Sequence, residues 1–346
     1  MGRAPRRSSN VVTMADVAAR AGVSTMTVSN VINDTGRVSA ATTEKVRAAI
    51  EALGYVPDPS AKRLASAGAT RLGVVYKKSR SAFVSEVLIS ALDAASARGV
   101  QVLTMDCDED DVDAIEAALS GLVRQGAQSL LLLPPFAERV TGRPIVSELG
   151  VPFAAIGTGR ALADMITVRI DERAAAAAMT EFLIDHGHRR IGFVAGPPSH
   201  SGSIARREGY QAALQAHGLA IDPAIIATGD YNFDSGLAAA RILLERPDPP
   251  SAIFAANDEM AAAVAWVAHS LGLRLPQELA VAGFDDSPIA TRVFPALSAI
   301  RQPVTAIATR AAERLIAAMR DRAAGETDIL FDFELVPRQS TDMRHL

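Results

Sequence analysis

Residues 13 to 33 read TMADVAARAGVSTMTVSNVIN, and this stretch decides the fold of the N-terminal part of the 346-residue chain. Thr13 is suited to cap a first helix that Gly22 ends, and Ser24 is suited to cap a second helix that runs to about residue 33. Apolar side chains recur along one face of each helix, namely Val17, Ala18 and Ala21 on the first and Val28, Val31 and Ile32 on the second. Two short helices around a glycine turn predict a helix-turn-helix, in which the second helix enters the major groove of DNA.

The residues that follow predict a third helix and carry a positive charge. This helix begins at Ser39 and is ended by Gly54, and it completes a cluster able to bury a small core. Residues 1 to 66 carry nine Lys or Arg against five Asp or Glu, a net charge of +4, while the remainder of the chain carries −8. This polarity suits a DNA-binding module joined to a module that avoids phosphates. An ordinary helical hairpin, with the same caps and periodicity, is the alternative.

Several separated motifs resemble the LacI family of bacterial repressors. The stretch at 21–33, AGVSTMTVSNVIN, matches the family signature, and the stretch at 37–66 resembles the family's third helix and hinge. Further motifs follow in the family's order: GHRRIGFVAG at 187–196, RREGY at 206–210, AANDEMA at 255–261, VAGFDDS at 281–287 and PALSAIRQP at 295–303. The resemblance implies a transcriptional regulator with an N-terminal helix-turn-helix and a two-lobed effector domain.

The resemblance also implies which side chains meet the operator. Thr25, Met26 and Asn30 are expected to read base edges, because the family reads DNA with the exposed face at the start of the second helix. An Asn amide can pair with adenine, whereas Met offers apolar contact, for instance with a thymine methyl group. Side chains suited to phosphate oxygens lie on or beside the same helix: Ser24, Thr27, Ser29 and Asn33. Capping and solvation are the alternative roles of these four.

A segment with two prolines, Pro57 and Pro59, resembles the family's hinge helix. The resemblance places Ala61, Lys62 and Leu64 at the minor groove, with Leu64 as the wedge that kinks a central base step. A plain linker is the alternative. The predicted domain order is a flexible basic arm at 1–10, the DNA-binding domain at 11–57, the hinge at 58–69 and the effector domain at 70–346.

Beyond residue 70, short apolar segments alternate with amphipathic ones, which predicts the α/β class, with parallel sheets covered by helices on both faces. The predicted strands are 72–76, 102–105, 129–133, 153–156, 191–195, 252–256 and 279–283, and the predicted helices include 85–98, 112–124, 172–186, 206–217, 235–245 and 258–271. By resemblance these elements form two periplasmic-binding-protein-like lobes, the first about 70–168 and 301–328, the second about 169–300 and 329–346. Ligands of such sheets bind beyond the carboxyl ends of the strands.

Candidate effector-binding residues fall near these strand ends. By resemblance, Arg206 is the effector-binding arginine, whose guanidinium can form paired hydrogen bonds to sugar hydroxyls or to an anionic group. The other candidates offer hydroxyl acceptors or apolar faces for a sugar ring: Asn257, Asp285, Tyr231 and Phe83. Asp258 is expected to cap the helix that follows.

Three departures from the family pattern bear on the ligand. Basic residues follow the first strand, and Lys77, Lys78 or Arg80 is expected to make that mouth of the site more basic. Gly157 stands where several sugar-binding relatives have an aspartate, and Glu172 replaces the usual asparagine. A saccharide remains the predicted effector.

The predicted function is a homodimeric repressor of carbohydrate-utilisation genes that leaves a palindromic, double-stranded operator when a sugar binds. Control by a corepressor or by a phosphorylated partner protein is an alternative within the same class, and a sugar-binding carrier is a remote one. An enzyme is not expected, because the sequence has no nucleophile elbow and no complete dinucleotide-binding motif. No cofactor is predicted, and His186 and His188 lack partners at metal-ligand spacing.

The sequence has no apolar run long enough to span a bilayer and no hydrophobic segment after its basic N-terminus. The lone Cys107 can form no internal disulfide. These features predict a cytoplasmic protein with no membrane partner.

Overall fold

The computed structural model describes residues 13–32, 38–53, 70–78, 81–319 and 325–341. The chain forms two compact units, residues 1–69 and residues 70–346. Several predictions lie outside the described residues: those for the arm at 1–10, for Asn33, for Arg80 and for the hinge residues Ala61, Lys62 and Leu64.

Three helices make up the described part of the first unit, α1 (Met14–Ala21), α2 (Thr25–Ile32) and α3 (Ala40–Leu53). A capping box begins α1, because the Thr13 nitrogen donates to Asp16 Oδ2 at 2.8 Å and the Asp16 nitrogen donates to Thr13 Oγ1 at 3.4 Å. Gly22 ends α1 with a φ of 67°, a left-handed conformation that glycine adopts without steric cost. The predicted helix-turn-helix is confirmed.

These short helices share one small apolar core. Val17, Val28 and Val46, one from each helix, are fully buried, and Ala18 and Ala49 complete the core. Helices of this length are marginal in isolation, so their stability depends on the shared core.

The second unit contains two six-stranded sheets, each with helices on its faces. The first sheet comprises β1 (Arg71–Tyr76), β2 (Gln101–Asp106), β3 (Ser129–Leu132), β4 (Phe153–Ile156), β5 (Ile166–Ile170) and β11 (Asp328–Phe331). Its order is β11-β5-β4-β3-β1-β2, and every neighbouring pair is parallel. With it go α4 (Ala82–Ser96), α5 (Val112–Arg124), α6 (Phe136–Val140), α7 (Pro144–Glu148) and α12 (Val304–Ala318). These elements form the first lobe.

The second sheet repeats this plan with one antiparallel edge. Its strands are β6 (Ile191–Ala195), β7 (Ile226–Thr228), β8 (Ala252–Ala255), β9 (Ala280–Asp285), β10 (Ser298–Arg301) and β12 (Glu334–Val336). Their order is β12-β10-β9-β8-β6-β7, with β12 antiparallel to β10. With it go α8 (Glu172–Asp185), α9 (Ser201–Ala216), α10 (Phe233–Leu244) and α11 (Asp258–Ser270). These elements form the second lobe, and the predicted α/β class is confirmed.

The described chain passes between the lobes three times, after Ile170, after Arg301 and after Phe331. These crossings lie one to three residues after the approximate boundaries predicted at 168, 300 and 328. The clearest case is β11, which pairs with β5 and places Asp328 within 2.9 Å of Arg169. An ion pair between adjacent strands keeps this edge strand in the first lobe.

The described residues contain no helix that combines the length and the apolar character needed to cross a membrane.

Candidate functional site

The exposed face of α2 is the candidate DNA interface. Met26 is 70 % exposed and Thr25 is exposed, while Asn30 is half-buried. Ser24 Oγ accepts a hydrogen bond from the Thr27 nitrogen at 3.1 Å and lies 2.9 Å from Thr27 Oγ1. The Ser24 hydroxyl therefore caps α2, which was the alternative to phosphate binding. The two roles are compatible, because a helix N-terminus favours an anion.

A pocket of about 560 Å³ lies between the two lobes of the second unit. Loops that follow the carboxyl ends of strands in both sheets line it, as expected for parallel α/β sheets. The first lobe contributes Lys77, Ser81, Phe83, Val84, Glu109, Pro134 and Gly157, and the second contributes His200, Gly202, Arg206, Asp230, Tyr231, Asn232, Phe233, Asp234, Asn257, Glu259 and Asp285. The five predicted effector residues, Phe83, Arg206, Tyr231, Asn257 and Asp285, are all brought together in this lining.

Arg206 lies on α9 at the base of the pocket, where most of its guanidinium is already engaged. Its Nε donates to Glu172 Oε2 at 2.6 Å, its Nη2 donates to Glu172 Oε1 at 3.2 Å, and its Nη1 donates to the carbonyl oxygen of Ala256. The guanidinium also stacks on Phe284, with Cζ 3.7 Å from the ring centroid. Burial alone disfavours its charge, but the Glu172 carboxylate outweighs burial and raises the pKa of Arg206. The guanidinium is thus a fixed, neutralised donor.

The cap of α11 lies one residue before the predicted position. Asn257 caps α11, because its Oδ1 accepts from the Met260 nitrogen at 3.0 Å, while its Nδ2 donates to the Tyr231 carbonyl oxygen at 2.9 Å. Asp258 already belongs to the helix, and its Oδ2 accepts from the nitrogen and the hydroxyl of Ser287. The prediction that Asp258 caps the helix is wrong, because the residue with extended backbone angles is Asn257, at φ −154° and ψ 171°.

Asp285 ends β9 in a left-handed conformation, with φ at 101°, and faces the pocket. Gln302 Nε2 donates to its Oδ1 at 2.7 Å, and Arg206 Nη1 lies 3.9 Å from the same oxygen. Burial raises the pKa of Asp285 to about 6, although Arg206 and Gln302 oppose this shift. Burial and the nearby Asp285 charge also raise the pKa of Asp258 well above its usual range. Two buried carboxyl groups, of Asp285 in the pocket lining and of Asp258 outside it, therefore interact electrostatically.

Aromatic side chains provide apolar faces on both sides of the pocket. The ring of Tyr231 lies edge-on to that of His200, with centroids 5.4 Å apart, and burial raises the pKa of Tyr231 to about 12. Phe83 enters from α4 in the first lobe. Gly157 makes room for it, because a Cβ atom there would lie 3.2 Å from Phe83 and 3.0 Å from Pro134, and its φ is 63°. This crowding, together with the positive φ, is a physical reason for glycine rather than aspartate at position 157.

Of the described residues considered for a more basic mouth, Lys77 lines the pocket and Lys78 does not. Lys77 Nζ binds Glu109 Oε1 at 2.9 Å, so its charge is balanced in place. His200 lies close by, and burial, together with the positive charges of Lys77 and Arg206, lowers its pKa to about 4. The histidine is therefore neutral at pH 7.

A hydrogen-bonded contact joins the lobes beside the pocket. Glu138 of the first lobe accepts at Oε1 from the nitrogen of Ser201 at 3.2 Å and from its hydroxyl at 2.6 Å. Ser201 is the first residue of α9, and its Oγ also accepts from the Gly159 nitrogen of the first lobe at 2.9 Å. A carboxylate at a helix N-terminus is favourable, so the first lobe caps the helix that carries Arg206.

Two family models match the chain. Residues 13–58 match the bacterial regulatory proteins of the lacI family, and residues 180–341 match the periplasmic binding protein-like domain. The chain is 33 % identical over 340 residues to the HTH-type transcriptional regulator CelR of Thermobifida fusca, covering 95 % of this chain and 98 % of that protein. The chain belongs to the LacI family.

Solved structures of LacI-family proteins agree with this assignment. A complex of the transcriptional regulator CelR with cellobiose has a TM-score of 0.69 at 31 % identity, covering 95 % of this chain and 99 % of that one. The lac repressor dimer bound to operator and the anti-inducer ONPF has a TM-score of 0.78 at 26 % identity, with the same coverage. This LacI-family chain is a DNA-binding transcriptional regulator, and its curated relatives are regulators rather than enzymes.

Within the described part of this LacI-family protein, no group of three or more His, Cys, Asp or Glu side chains is arranged to hold a metal ion. The pocket does contain polar residues that the sequence analysis missed: Glu109, His200, Asp230, Asn232, Asp234 and Glu259. Glu109, His200 and Glu259 follow the predicted strands β2, β6 and β8, so the carboxyl-end rule points to them. The other three follow β7, for which the sequence carries no strand signal.

Proposed function

We propose that this protein is a homodimeric repressor of carbohydrate-utilisation genes, released from a palindromic operator when a saccharide binds between its lobes. The observation that carries the proposal is the composition of the pocket. Carboxylates of Asp230, Asp234 and Glu259 can accept hydrogen bonds from hydroxyl groups, and Phe83 and Tyr231 can cover the faces of a sugar ring. A ligand with hydroxyls around its edge and apolar faces fits this arrangement.

Relatives support a saccharide. CelR, which is 31 % identical in its solved structure, is described in complex with cellobiose. A pocket of about 560 Å³ lies within the usual range for small-molecule sites. We therefore place the effector of this chain among mono- and disaccharides.

Exposed apolar side chains support a homodimer. On α4, Ile89 and Leu92 lie one helical turn apart and are 57 % and 48 % exposed. On the second lobe, Trp266 is 51 % exposed and Phe294 is 79 % exposed. Large exposed apolar side chains mark protein interfaces when they cluster. One helix-turn-helix reads only a few base pairs, so pairing two copies supplies the specificity that a palindromic operator needs.

The proposed DNA contacts follow from the exposed face of α2. Thr25, Met26 and Asn30 read base edges, and Ser24, Thr27, Ser29 and Asn33 bind phosphates. At the hinge we retain Ala61, Lys62 and Leu64 as minor-groove contacts. Operator affinity then changes by at most the difference in saccharide affinity between the two lobe arrangements.

The proposal is tested in two steps. Thermal shift of the purified full chain against mono- and disaccharides, sugar phosphates and nucleobases identifies the effector, because a ligand of the folded state stabilises it by RT ln(1 + [L]/Kd). An operator selected in vitro from random duplexes is then titrated with and without that effector. We expect a saccharide to weaken operator binding. Stronger operator binding would instead indicate a corepressor, and a response to no compound in the panel would favour a protein coregulator.

Asn30→Ala tests the reading surface directly. Because an Asn–adenine pair is worth ~1–3 kcal/mol, the variant should lose discrimination at one base pair in each half-site. The measurement is binding to operators with single-base changes, and Glu51→Gln on α3 is the control. Unchanged base preference in the variant would remove Asn30 from the reading surface.

A further inference from the structure

We infer that the pocket selects an uncharged ligand over its anionic counterpart, and that Glu172 is the residue that sets this selectivity. The inference deepens the proposed function and rests on the pocket being the effector site. It excludes phosphorylated sugars, uronic acids and other anions that a pocket arginine would otherwise attract.

The first step of the argument is the geometry of the Arg206–Glu172 pair. Both oxygens of the Glu172 carboxylate accept from the guanidinium, at 2.6 and 3.2 Å, in the two-point arrangement in which arginine binds carboxylates and phosphates. The protein's own carboxylate thus occupies the Nε–Nη2 edge of the guanidinium, an edge through which arginine could otherwise bind an anionic ligand group.

The second step is the burial of both partners. The Glu172 side chain is 0 % exposed and that of Arg206 is 9 % exposed. An anionic ligand that took over the guanidinium would leave Glu172 fully buried without a counterion, which is strongly unfavourable. At a surface ion pair, water would hydrate the displaced carboxylate. At this buried pair, water cannot hydrate Glu172 once its partner is taken.

The third step is the charge of the remaining lining. Among the lining residues that the structure describes, Lys77 is the other cationic side chain, and Glu109 already binds it at 2.9 Å. Four further carboxyl groups, of Asp230, Asp234, Glu259 and Asp285, line the same space. Each described cation is balanced and carboxylates are in excess, so the potential in the pocket opposes an anion.

The test compares anion binding between the wild type and Glu172→Gln. The substitution keeps the shape of the side chain and removes the charge that neutralises Arg206. The probe is inorganic phosphate at constant ionic strength, titrated calorimetrically and by thermal shift. We expect Glu172→Gln to bind phosphate at least about tenfold more tightly than the wild type. The gain should vanish in Glu172→Gln/Arg206→Gln.

Glu278→Gln is the matched control. Like Glu172→Gln, this substitution removes one negative charge and takes the carboxylate partner away from an arginine, because Arg274 Nε lies 2.9 Å from Glu278 Oε2. This pair is exposed and lies outside the pocket lining. We expect its phosphate affinity to equal that of the wild type. A gain of the same size in Glu278→Gln would show a general charge effect and overturn the inference.

Two further results would overturn the inference. The first is equal phosphate affinity in the wild type and Glu172→Gln, which would leave Glu172 with a purely structural role. The second applies if Glu172→Gln does not fold, and it compares phosphate binding by the wild type and by Glu172→Gln/Arg206→Gln. Phosphate binding that is present in the wild type and absent in the double variant would show that Arg206 binds anions even while it is paired with Glu172. Equal responses of the wild type and this double variant support the inference.

The inference and the proposed function can fail separately. If no saccharide binds the wild type but Glu172→Gln gains phosphate affinity, the saccharide effector is wrong and the selectivity stands. If glucose and glucose 6-phosphate bind the wild type equally well, the selectivity is wrong and the saccharide effector stands.

Discussion

The two lobes contribute different chemistry to one pocket. The first lobe presents mainly compact apolar groups, such as Phe83, Val84 and Pro134, whereas the second presents Arg206 and most of the carboxylates. Directional hydrogen bonds fix the orientation of a ligand, and apolar contact mainly excludes water. The second lobe is therefore expected to anchor the effector, and the first lobe to close over it.

The largest effect is expected from removing Arg206, the proposed anchor of the effector in the second lobe. Arg206→Ala leaves Glu172 buried and unpaired, so we expect a loss of ~3–5 kcal/mol in the free energy of unfolding as well as loss of the saccharide response. Urea unfolding and ligand-induced thermal shift measure the two effects. The double variant Glu172→Gln/Arg206→Gln should regain most of the stability without the response. Wild-type saccharide affinity in that double variant would contradict an anchor in the second lobe.

Asp285 gives the next largest effect, through pH. Its pKa is about 6 in the folded protein against 3.8 ordinarily, so the stabilisation it provides is complete below pH 3.8 and is lost as pH rises through 6. The difference in unfolding free energy between wild type and Asp285→Asn should therefore change by at most ~1.4 kcal/mol per pH unit across this interval.

Saccharide affinity should have the opposite pH dependence, because the ionised Asp285 carboxylate is the stronger acceptor. The wild type should bind more weakly at pH 5 than at pH 7.5, and Asp285→Asn should bind about equally at both. A pH dependence that survives in Asp285→Asn would point to another group, with Asp258 as the first to examine because its pKa is also raised.

Phe83→Ala tests the contribution of the first lobe to saccharide binding. Loss of one aromatic face should weaken saccharide binding by a factor of about five to ten, corresponding to ~1 kcal/mol, with little effect on the orientation of the ligand. Calorimetric titration measures the affinity. Asp93→Ala, at an exposed position on the same helix but outside the lining, is the control. An effect as large as that of Arg206→Ala would place the anchor in the first lobe instead.

The smallest effect is expected at the contact between the lobes. Glu138→Gln removes the charge that caps α9 and should weaken saccharide binding about two- to fivefold, because the arrangement in which both lobes line the pocket loses part of its stabilisation. Binding to the saccharide identified by thermal shift provides the measurement, with Glu148→Gln on α7 as the control. Tighter binding would mean that this contact holds the lobes in an unproductive arrangement.

Much of the fold was predictable from local patterns. The strands at 153–156 and 191–195 and the helix at 112–124 have the predicted bounds, because short apolar runs and a strong amphipathic period leave little ambiguity. The strands β5, β7, β10, β11 and β12 were not predicted. Three of them, β7, β11 and β12, are edge strands of three or four residues with partly exposed side chains, so no apolar run marks them. The other two, β5 and β10, lie inside their sheets, but their short segments, ITVRI and SAIR, include polar residues that interrupt the apolar run.

The site was predictable in its members but not in their contacts. Arg206 was a candidate ligand residue, yet its partner Glu172 lies on another helix, and only the packing of α8 against α9 brings them together. That Asn257 rather than Asp258 caps α11 has a different cause. Both residue types cap helices well, and the choice depends on a shift of one residue that a sequence pattern does not fix.

The path of the chain limits how this regulator can be recombined. A single segment joins residues 1–69 to residues 70–346, so one crossover suffices to give the DNA-binding unit a different effector unit. Between the lobes the chain passes three times within the described residues, after Ile170, Arg301 and Phe331. A chimera that exchanged one lobe at a single junction would mix strands of both sheets, so effector specificity can be transplanted by gene fusion only as one block.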